Sequence, residues 1–189
     1  MPLPLMRSPD TTRCGDDRII AAIDDDGALY PVEKLDAHRR GIKHLAISAF
    51  VFSGNRLLVQ RRAGGKYHSP GQWANTCCTH PDWEEDPSAC ATRRLWEELG
   101  LEIDLEPRAV IEYRADVGRG LTEHERVHVF EGTVEDPDAV IPFDPTEVDE
   151  VRWVKIDELQ HEARLNPETI TPWFRIYLQR WPELGLSPA

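Results

Sequence analysis

Asp86-Pro87-Ser88-Ala89-Cys90-Ala91-Thr92-Arg93-Arg94-Leu95-Trp96-Glu97-Glu98-Leu99-Gly100 carries its own start and stop signals. Asp86 is an N-cap residue type, proline follows in the first turn, and Gly100 supplies the residue that most readily leaves a helix. Between them Ala91, Leu95 and Leu99 recur every fourth residue, which puts one apolar stripe on one face of a helix. Arg94 and Glu98 are also four apart. Taken alone, such a pair is an ordinary surface contact contributing about 0.2–0.5 kcal/mol.

Outward from this helix the chain reads mostly as strands. Residues 18–24 (RIIAAID) are extended and end in an acidic turn at 24–27. Residues 44–52 (HLAISAFVF) and 56–62 (RLLVQRR) flank Ser53-Gly54-Asn55 and read as a hairpin. A loop rich in Gly, Lys and Pro follows, then a short extended segment at 73–78. Further strands are expected at 109–115, 125–131 and 150–156, with a closing helix at 172–181. The Pro/Asp-rich stretch 135–145 reads as a loop, and no internal repeat is visible.

The 189 residues suit one domain, expected over 18–189 behind a flexible N-terminal arm at 1–17. Folding should bury about 70% of the unfolded chain's surface, enough for a core without staples. Acidic residues outnumber basic ones 34 to 22, yet 40% hydrophobic content and six Trp argue for a packed globule rather than an acidic tail. A net charge of −12 disfavours nucleic acid and anionic membrane as partners. An anionic ligand would need a local cluster of cations or a bound metal. The longest apolar runs, such as 45–52, fall far short of the roughly 20 residues of a membrane span. Residues 1–9 lack a signal-peptide core, so a cytoplasmic location is expected. Cys14, Cys77, Cys78 and Cys90 show no disulfide-framework spacing and are expected to be reduced.

His38, His44, His80, Glu123 and Glu125 come from three separated segments and offer nitrogen and oxygen ligands without an obligatory thiolate. That donor set suits Mg²⁺, Mn²⁺ or Zn²⁺. In an extended segment Glu123 and Glu125 point to the same side, as do Cys78 and His80. Any one of these residues alone is more often a surface Glu or a hydrogen-bonded His.

Residues 79–101 resemble the Nudix box, G-x5-E-x7-R-E-U-x-E-E-x-G-U with U apolar. Glu85, Arg93, Leu95, Glu97, Glu98, Gly100 and Leu101 occupy their expected positions. Thr79 replaces the opening Gly, and Arg94 replaces a Glu belonging to the metal-binding set of the hydrolytic members. With Asn75-Thr76-Cys77-Cys78-Thr79-His80-Pro81, Gln60-Arg61-Arg62-Ala63, Pro70-Gly71-Gln72-Trp73, Tyr113-Arg114-Ala115 and Glu123-His124-Glu125, the chain resembles the type 1 isopentenyl-diphosphate delta-isomerases from about residue 34 through 173.

That resemblance implies an α+β fold, a Nudix-like α/β/α sandwich around a mixed sheet. It implies interconversion of isopentenyl and dimethylallyl diphosphate in isoprenoid biosynthesis, with Mg²⁺ as cofactor and Mn²⁺ or Zn²⁺ as alternatives at the His/Glu site. Cys78 matches the family's catalytic cysteine, with Cys77 its neighbour rather than its substitute. Glu125 matches the catalytic glutamate that also binds metal, Tyr113 the tyrosine beside it, and Trp173 an active-site tryptophan. His38, His44, His80 and Glu123 match further metal ligands, and Glu98 a ligand for the Mg²⁺ that bridges to diphosphate. Lys34, Arg62, Lys66 and Arg94 fall where diphosphate-binding cations belong. A small-molecule diphosphate is the expected partner, on a monomer or weak dimer.

The residue types suit the chemistry. The alkene is not acidified by a carbonyl, so its double bond moves by protonation to a tertiary carbocation followed by deprotonation. Proton handlers are then needed on both sides: Glu125, assisted by Tyr113, for delivery, and Cys78 for removal. Water would capture the cation, so an aromatic wall is expected, Trp173 first and Trp73 second. Trp83, Trp96, Trp153 and Trp181 are read as packing or surface residues. Two alternatives stay open: a Nudix hydrolase of a nucleoside diphosphate derivative, and a binding module with structural zinc at Cys78, His80 and the glutamates.

Overall fold

The computed structural model describes residues 18–187, apart from 67, 137 and 139. The arm expected at 1–17, and Cys14 within it, lie outside the described residues.

In chain order the elements are β1 (Ile19–Ile23), β2 (Leu29–Glu33), α1 (Lys34–Arg40), β3 (His44–Ser53), β4 (Arg56–Arg62), β5 (Trp73–Ala74), β6 (Cys77–Thr79), α2 (Pro87–Leu99), β7 (Glu106–Gly118), β8 (Leu121–Thr133), β9 (Val148–Lys155), α3 (Ile156–Leu165) and α4 (Pro172–Gln179). β3 is the spine of the nine-stranded mixed sheet. It runs parallel to β8 from His44↔Glu125 to Phe52↔Thr133. Its other edge is shared by short antiparallel pairings with β1, β6 and β4.

All ten residues of β3 are buried, which explains why they read as a continuous apolar run instead of alternating with polar residues. Successive side chains still face opposite ways. Ala46, Phe50 and Phe52 join a core with Leu159 of α3 and Phe174, Tyr177 and Leu178 of α4. Ile47, Ala49 and Val51 join a second core with Ala91, Leu95 and Leu99 of α2. Helices therefore cover both faces, giving the α/β/α arrangement. Leu95 and Leu99 are at most 1% exposed, and burying each contributes about 1.5–3 kcal/mol.

The caps of α2 form as the residue types predict. The Asp86 carboxylate accepts from the amides of Ser88 (2.9 Å) and Ala89 (3.1 Å). Gly100 turns left-handed at φ 61°, and a Cβ there would lie 2.6 Å from Pro142 Cγ.

Several elements differ from the sequence expectation. β2, α1 and α3 were not anticipated. α1 has seven residues, of which only Ala37 and His38 are buried, too few to show a helical stripe. α3 buries Leu159 alone. The strands expected at 109–115 and 125–131 are parts of one long hairpin of thirteen-residue strands. The extended segment 73–78 is two short strands broken at Asn75-Thr76. There Asn75 Nδ2 donates to the carbonyls of Ala49 and Cys77, and Thr76 Oγ1 bridges Val51 N and Leu58 O. Side-chain amide and hydroxyl replace the missing ladder bonds. No helix among the described residues is long and apolar enough to cross a membrane.

Candidate active site

Strands β3, β6, β7 and β8 and the last turn of α1 converge on one cluster. His38 Nδ1 donates to the Lys34 carbonyl at 2.6 Å, within α1. His44 Nδ1, at the start of β3, donates to the Ile42 carbonyl at 2.7 Å. A carbonyl only accepts, so in both neutral rings the Nε2 atom carries the lone pair. Both Nε2 atoms turn inward toward Glu123, and neither they nor Glu123 Oε2 has a partner of hydrogen-bonding geometry. Yet His38 Nε2 and Glu123 Oε2 stand 3.1 Å apart, and His44 Nε2 is 3.8 Å from both Glu123 and Glu125. Lone-pair atoms brought this close in a buried site require a proton or a cation between them. Ligand atoms of His38, His44, His80 and Glu123 all lie within 4.8 Å of one another, so a divalent cation fits.

Burial drives His44 and His80 down to about 3 and thus keeps them neutral, the form in which imidazole ligates. Burial opposes charge on His38 as well, but Glu123 outweighs it and raises that imidazole. Burial likewise opposes charge on Glu123, while the adjacent His38 and His80 imidazoles outweigh it and hold its carboxyl well below the usual range. Glu125 is pushed well up, by burial and then by the Glu123 charge. His80 Nε2 reaches Glu125 Oε1 at 2.8 Å.

The β7–β8 register sets Tyr113 opposite Glu125, and the phenol donates to Glu125 Oε2 at 2.6 Å. Across β3, Cys78 is opposite Ser48. His44 and Ser48 share a face of β3, so their partners Glu125 and Cys78 share it too. Cys77 points the other way, into the α2 core. Burial and then the nearby Glu125 push the Cys78 thiol well up.

Cys78, Tyr113, Glu123, Glu125 and Trp173 line one cavity of about 480 Å³. Trp173 is 3% exposed. The Arg62 guanidinium stands 5.2 Å from its ring centroid, and His68 packs edge-on at 5.6 Å. Trp73 does not line the cavity; Arg152 covers its face at 4.0 Å. Trp181 packs edge-on against Phe50, and Trp96 is 58% exposed.

The same cavity collects Lys34, Arg62, Lys66 and Arg94, joined by Arg18. Burial, then Arg18, lowers Lys34 to about 8, with Arg62 and Lys66 adding to the effect. These cations offset Glu98, Glu123, Glu125 and Glu147 on the same wall, a concentration of positive charge in a chain of net charge −12 that gives an anion partners. Arg94 Nη2 donates to Glu98 at 2.6 Å, and Gln60 Nε2 donates to the other Glu98 oxygen at 2.9 Å. Glu98 therefore stands with the cations, apart from the histidine cluster. Lys66 pairs with Glu147, which Arg94 also approaches at 3.4 Å.

Sequence reasoning missed Arg18, Ser48, Gln60, His68, Glu147 and Tyr177. Ser48 left one signal, as the lone hydroxyl in the apolar run 45–52. Glu147 is indistinguishable in sequence from the acidic residues around it.

Residues 42–174 match the NUDIX domain. An isopentenyl-diphosphate Delta-isomerase of Rhodobacter capsulatus is 52% identical over 166 residues, 87% of this chain and 93% of that protein. One of Cereibacter sphaeroides is 56% identical over 155 residues, covering 81% and 86% of the two chains. Among solved structures, a Deinococcus radiodurans protein superposes with TM-score 0.70 at 15% identity, covering 86% of this chain and 98% of that one. A MutT protein of Methanosarcina mazei Go1 superposes with TM-score 0.58 at 18% identity, covering 74% and 93%. At these identities the structural likeness shows the fold alone.

Proposed function

The chain belongs to the NUDIX domain family and, within it, to the isopentenyl-diphosphate Delta-isomerases, and from that premise we propose that it interconverts isopentenyl and dimethylallyl diphosphate by proton transfer at Glu125 and Cys78. The observation carrying this assignment is that a carboxyl bonded to a phenol and a thiol on the far side of β3 line one cavity with a buried indole.

His38, His44, His80, Glu123 and Glu125 would hold the divalent cation of the His/Glu cluster, and Glu98 the Mg²⁺ at the diphosphate. Bound there, such cations neutralise carboxylate and diphosphate charge and make neighbouring oxygen acids stronger.

The chain's own residues do the rest. Lys34, Arg62, Lys66 and Arg94 grip the diphosphate, remote from the reacting carbons, so that binding energy orients the alkene. Burial and the Glu123 charge push the Glu125 carboxyl upward, toward the protonated form that a proton donor needs, and Tyr113 hydrogen-bonds it in place. Proton delivery to the terminal carbon leaves a tertiary carbocation. The Trp173 face stabilises that charge by about 1–2 kcal/mol and excludes water. Cys78, whose thiolate form the bound cation would favour, then takes a proton from the carbon on the diphosphate side. That C–H electron pair becomes the new double bond and the sulfur becomes a neutral thiol; in reverse the roles exchange.

Arg94 argues against hydrolysis, since it stands where the hydrolases' box carries a metal-binding carboxylate. The test is incubation with isopentenyl diphosphate and Mg²⁺ in D₂O. Deuterated dimethylallyl diphosphate is expected; release of phosphate in its place would overturn the assignment.

A further inference from the structure

Ser48 is the single polar residue in the run 45–52 and is wholly buried. A hydroxyl in that position destabilises the fold unless it is hydrogen-bonded. Its Oγ lies 3.3 Å from Cys78 Sγ and 2.9 Å from Tyr177 Oη. The hydroxyl has one proton, so it cannot donate to both neighbours. If Ser48 donates to the sulfur, Tyr177 must donate to Ser48.

The three residues come from three elements. Ser48 and Cys78 are cross-strand partners on β3 and β6. Tyr177 is wholly buried on α4, one helical turn after Trp173, so one face of that helix carries both the aromatic wall and this hydroxyl. The Tyr177 ring also stands edge-on to Tyr113 at 5.7 Å. A cysteine has a single side-chain torsion, so its χ1 rotamer alone decides where the sulfur lies, and a hydrogen bond to the sulfur favours one rotamer over the others.

We propose that Ser48 and Tyr177 are positioning residues for Cys78: Tyr177 donates to Ser48, Ser48 donates to the sulfur, and the remaining sulfur lone pairs face the substrate. This rests on Cys78 as the proton-removing group. In the forward direction the C2–H bond breaks, the proton goes to the Cys78 thiolate to give the thiol, and the bonding pair forms the C2=C3 double bond. Ser48 and Tyr177 exchange no proton with the substrate. They set the approach of sulfur to carbon, and α4 ties that approach to the placement of the Trp173 wall.

The test compares Tyr177→Phe, Ser48→Ala, their double variant and Cys78→Ala on isopentenyl diphosphate with hydrogen or deuterium at C2. Thermal unfolding checks that each variant is folded. Each single variant should lower kcat about three- to tenfold, the range of one hydrogen bond lost from the transition state, with KM little changed. The C2 deuterium effect on kcat should rise, because proton removal becomes the slower step. The double variant should cost no more than the worse single one, since the two hydroxyls form one chain. Wild-type kcat in folded Tyr177→Phe, or a lowered kcat with an unchanged isotope effect, overturns the proposal. Should Ser48→Ala fail to fold, Tyr177→Phe decides by itself. Turnover by Cys78→Ala would instead remove the role assigned to Cys78, a separate and distinguishable failure.

Discussion

Arg94 and Glu98 stand one turn apart on α2 and meet at 2.6 Å on the wall of the cavity, with Glu98 only 5% exposed. In water such a pair is nearly neutral in its effect on stability, but here Gln60 fixes the carboxylate and Arg94 is left beside Lys66, facing the cavity. Arg94→Gln is expected to lower kcat/KM for isopentenyl diphosphate about thirtyfold or more, equivalent to ~2 kcal/mol for a desolvated charge contact. Steady-state kinetics would show it, and an unchanged kcat/KM would place the diphosphate elsewhere.

Cys77 and Cys78 are neighbours whose substitutions should have opposite readouts, because successive strand residues face opposite sides of the sheet. Cys78→Ala should cut kcat by about 10²–10⁴, the range of general acid–base groups, with little change in unfolding temperature. Cys77→Ala should keep turnover and lose about 1 kcal/mol of stability from the α2 core. Parallel activity and unfolding measurements separate the two, and the reverse pattern would exchange their roles.

Removal of divalent cations should lower the unfolding midpoint, since His38, His44 and Glu123 crowd buried lone pairs together without hydrogen bonds. Adding a cation at about a hundred times its dissociation constant should return ~2.7 kcal/mol. Titrating chelated protein with Mg²⁺, Mn²⁺ and Zn²⁺ ranks the three by the shift each produces. His44→Gln should lose most of that shift; a midpoint indifferent to all three ions would rule out the cluster as a metal site.

Glu85 accepts from both Arg93 Nε (2.7 Å) and Nη2 (2.8 Å). Burial opposes its charge, but Arg93 and the Asp82 amide prevail and hold its carboxyl below the usual range. Because the folded pKa lies below the unfolded one, the stabilisation is complete above the unfolded value, about 4.3, and disappears as pH falls through the folded value. Arg93→Met should therefore flatten the acid limb of stability against pH. Urea unfolding between about pH 3 and 6 checks this, and parallel wild-type and variant curves would contradict it.

Gly100→Ala should destabilise the protein by at least about 2 kcal/mol. The residue is left-handed, which costs an alanine about 1 kcal/mol or more, and the new Cβ would meet Pro142 Cγ at 2.6 Å. Thermal unfolding measures the effect, and a neutral result would mean that the 142 segment yields freely.

Local periodicity and end signals made α2 and the β3–β4 hairpin legible, because Asp86, Gly100 and the stripe Ala91, Leu95, Leu99 act within a few residues of one another. Short α1 and α3 were not legible, since each buries too few side chains to show a period. The candidate ligands and proton handlers were visible as residue types, and family resemblance supplied their roles. Spacing could not supply them, as His44 and Glu125 are 81 positions apart and meet only through the parallel β3–β8 ladder.

What the linear order determined by itself was the helix with its caps and the β3–β4 hairpin; the cations Lys34, Arg62, Lys66 and Arg94 were singled out by family resemblance. Only the folded chain decided that Gln60 and Glu147 join Arg94 and Glu98, and that Ser48 and Tyr177 close around Cys78. The physical reason is strand pairing: hydrogen-bond register is set between segments remote in sequence, and it alone converts alternate positions into a shared face with one carboxyl and one thiol upon it.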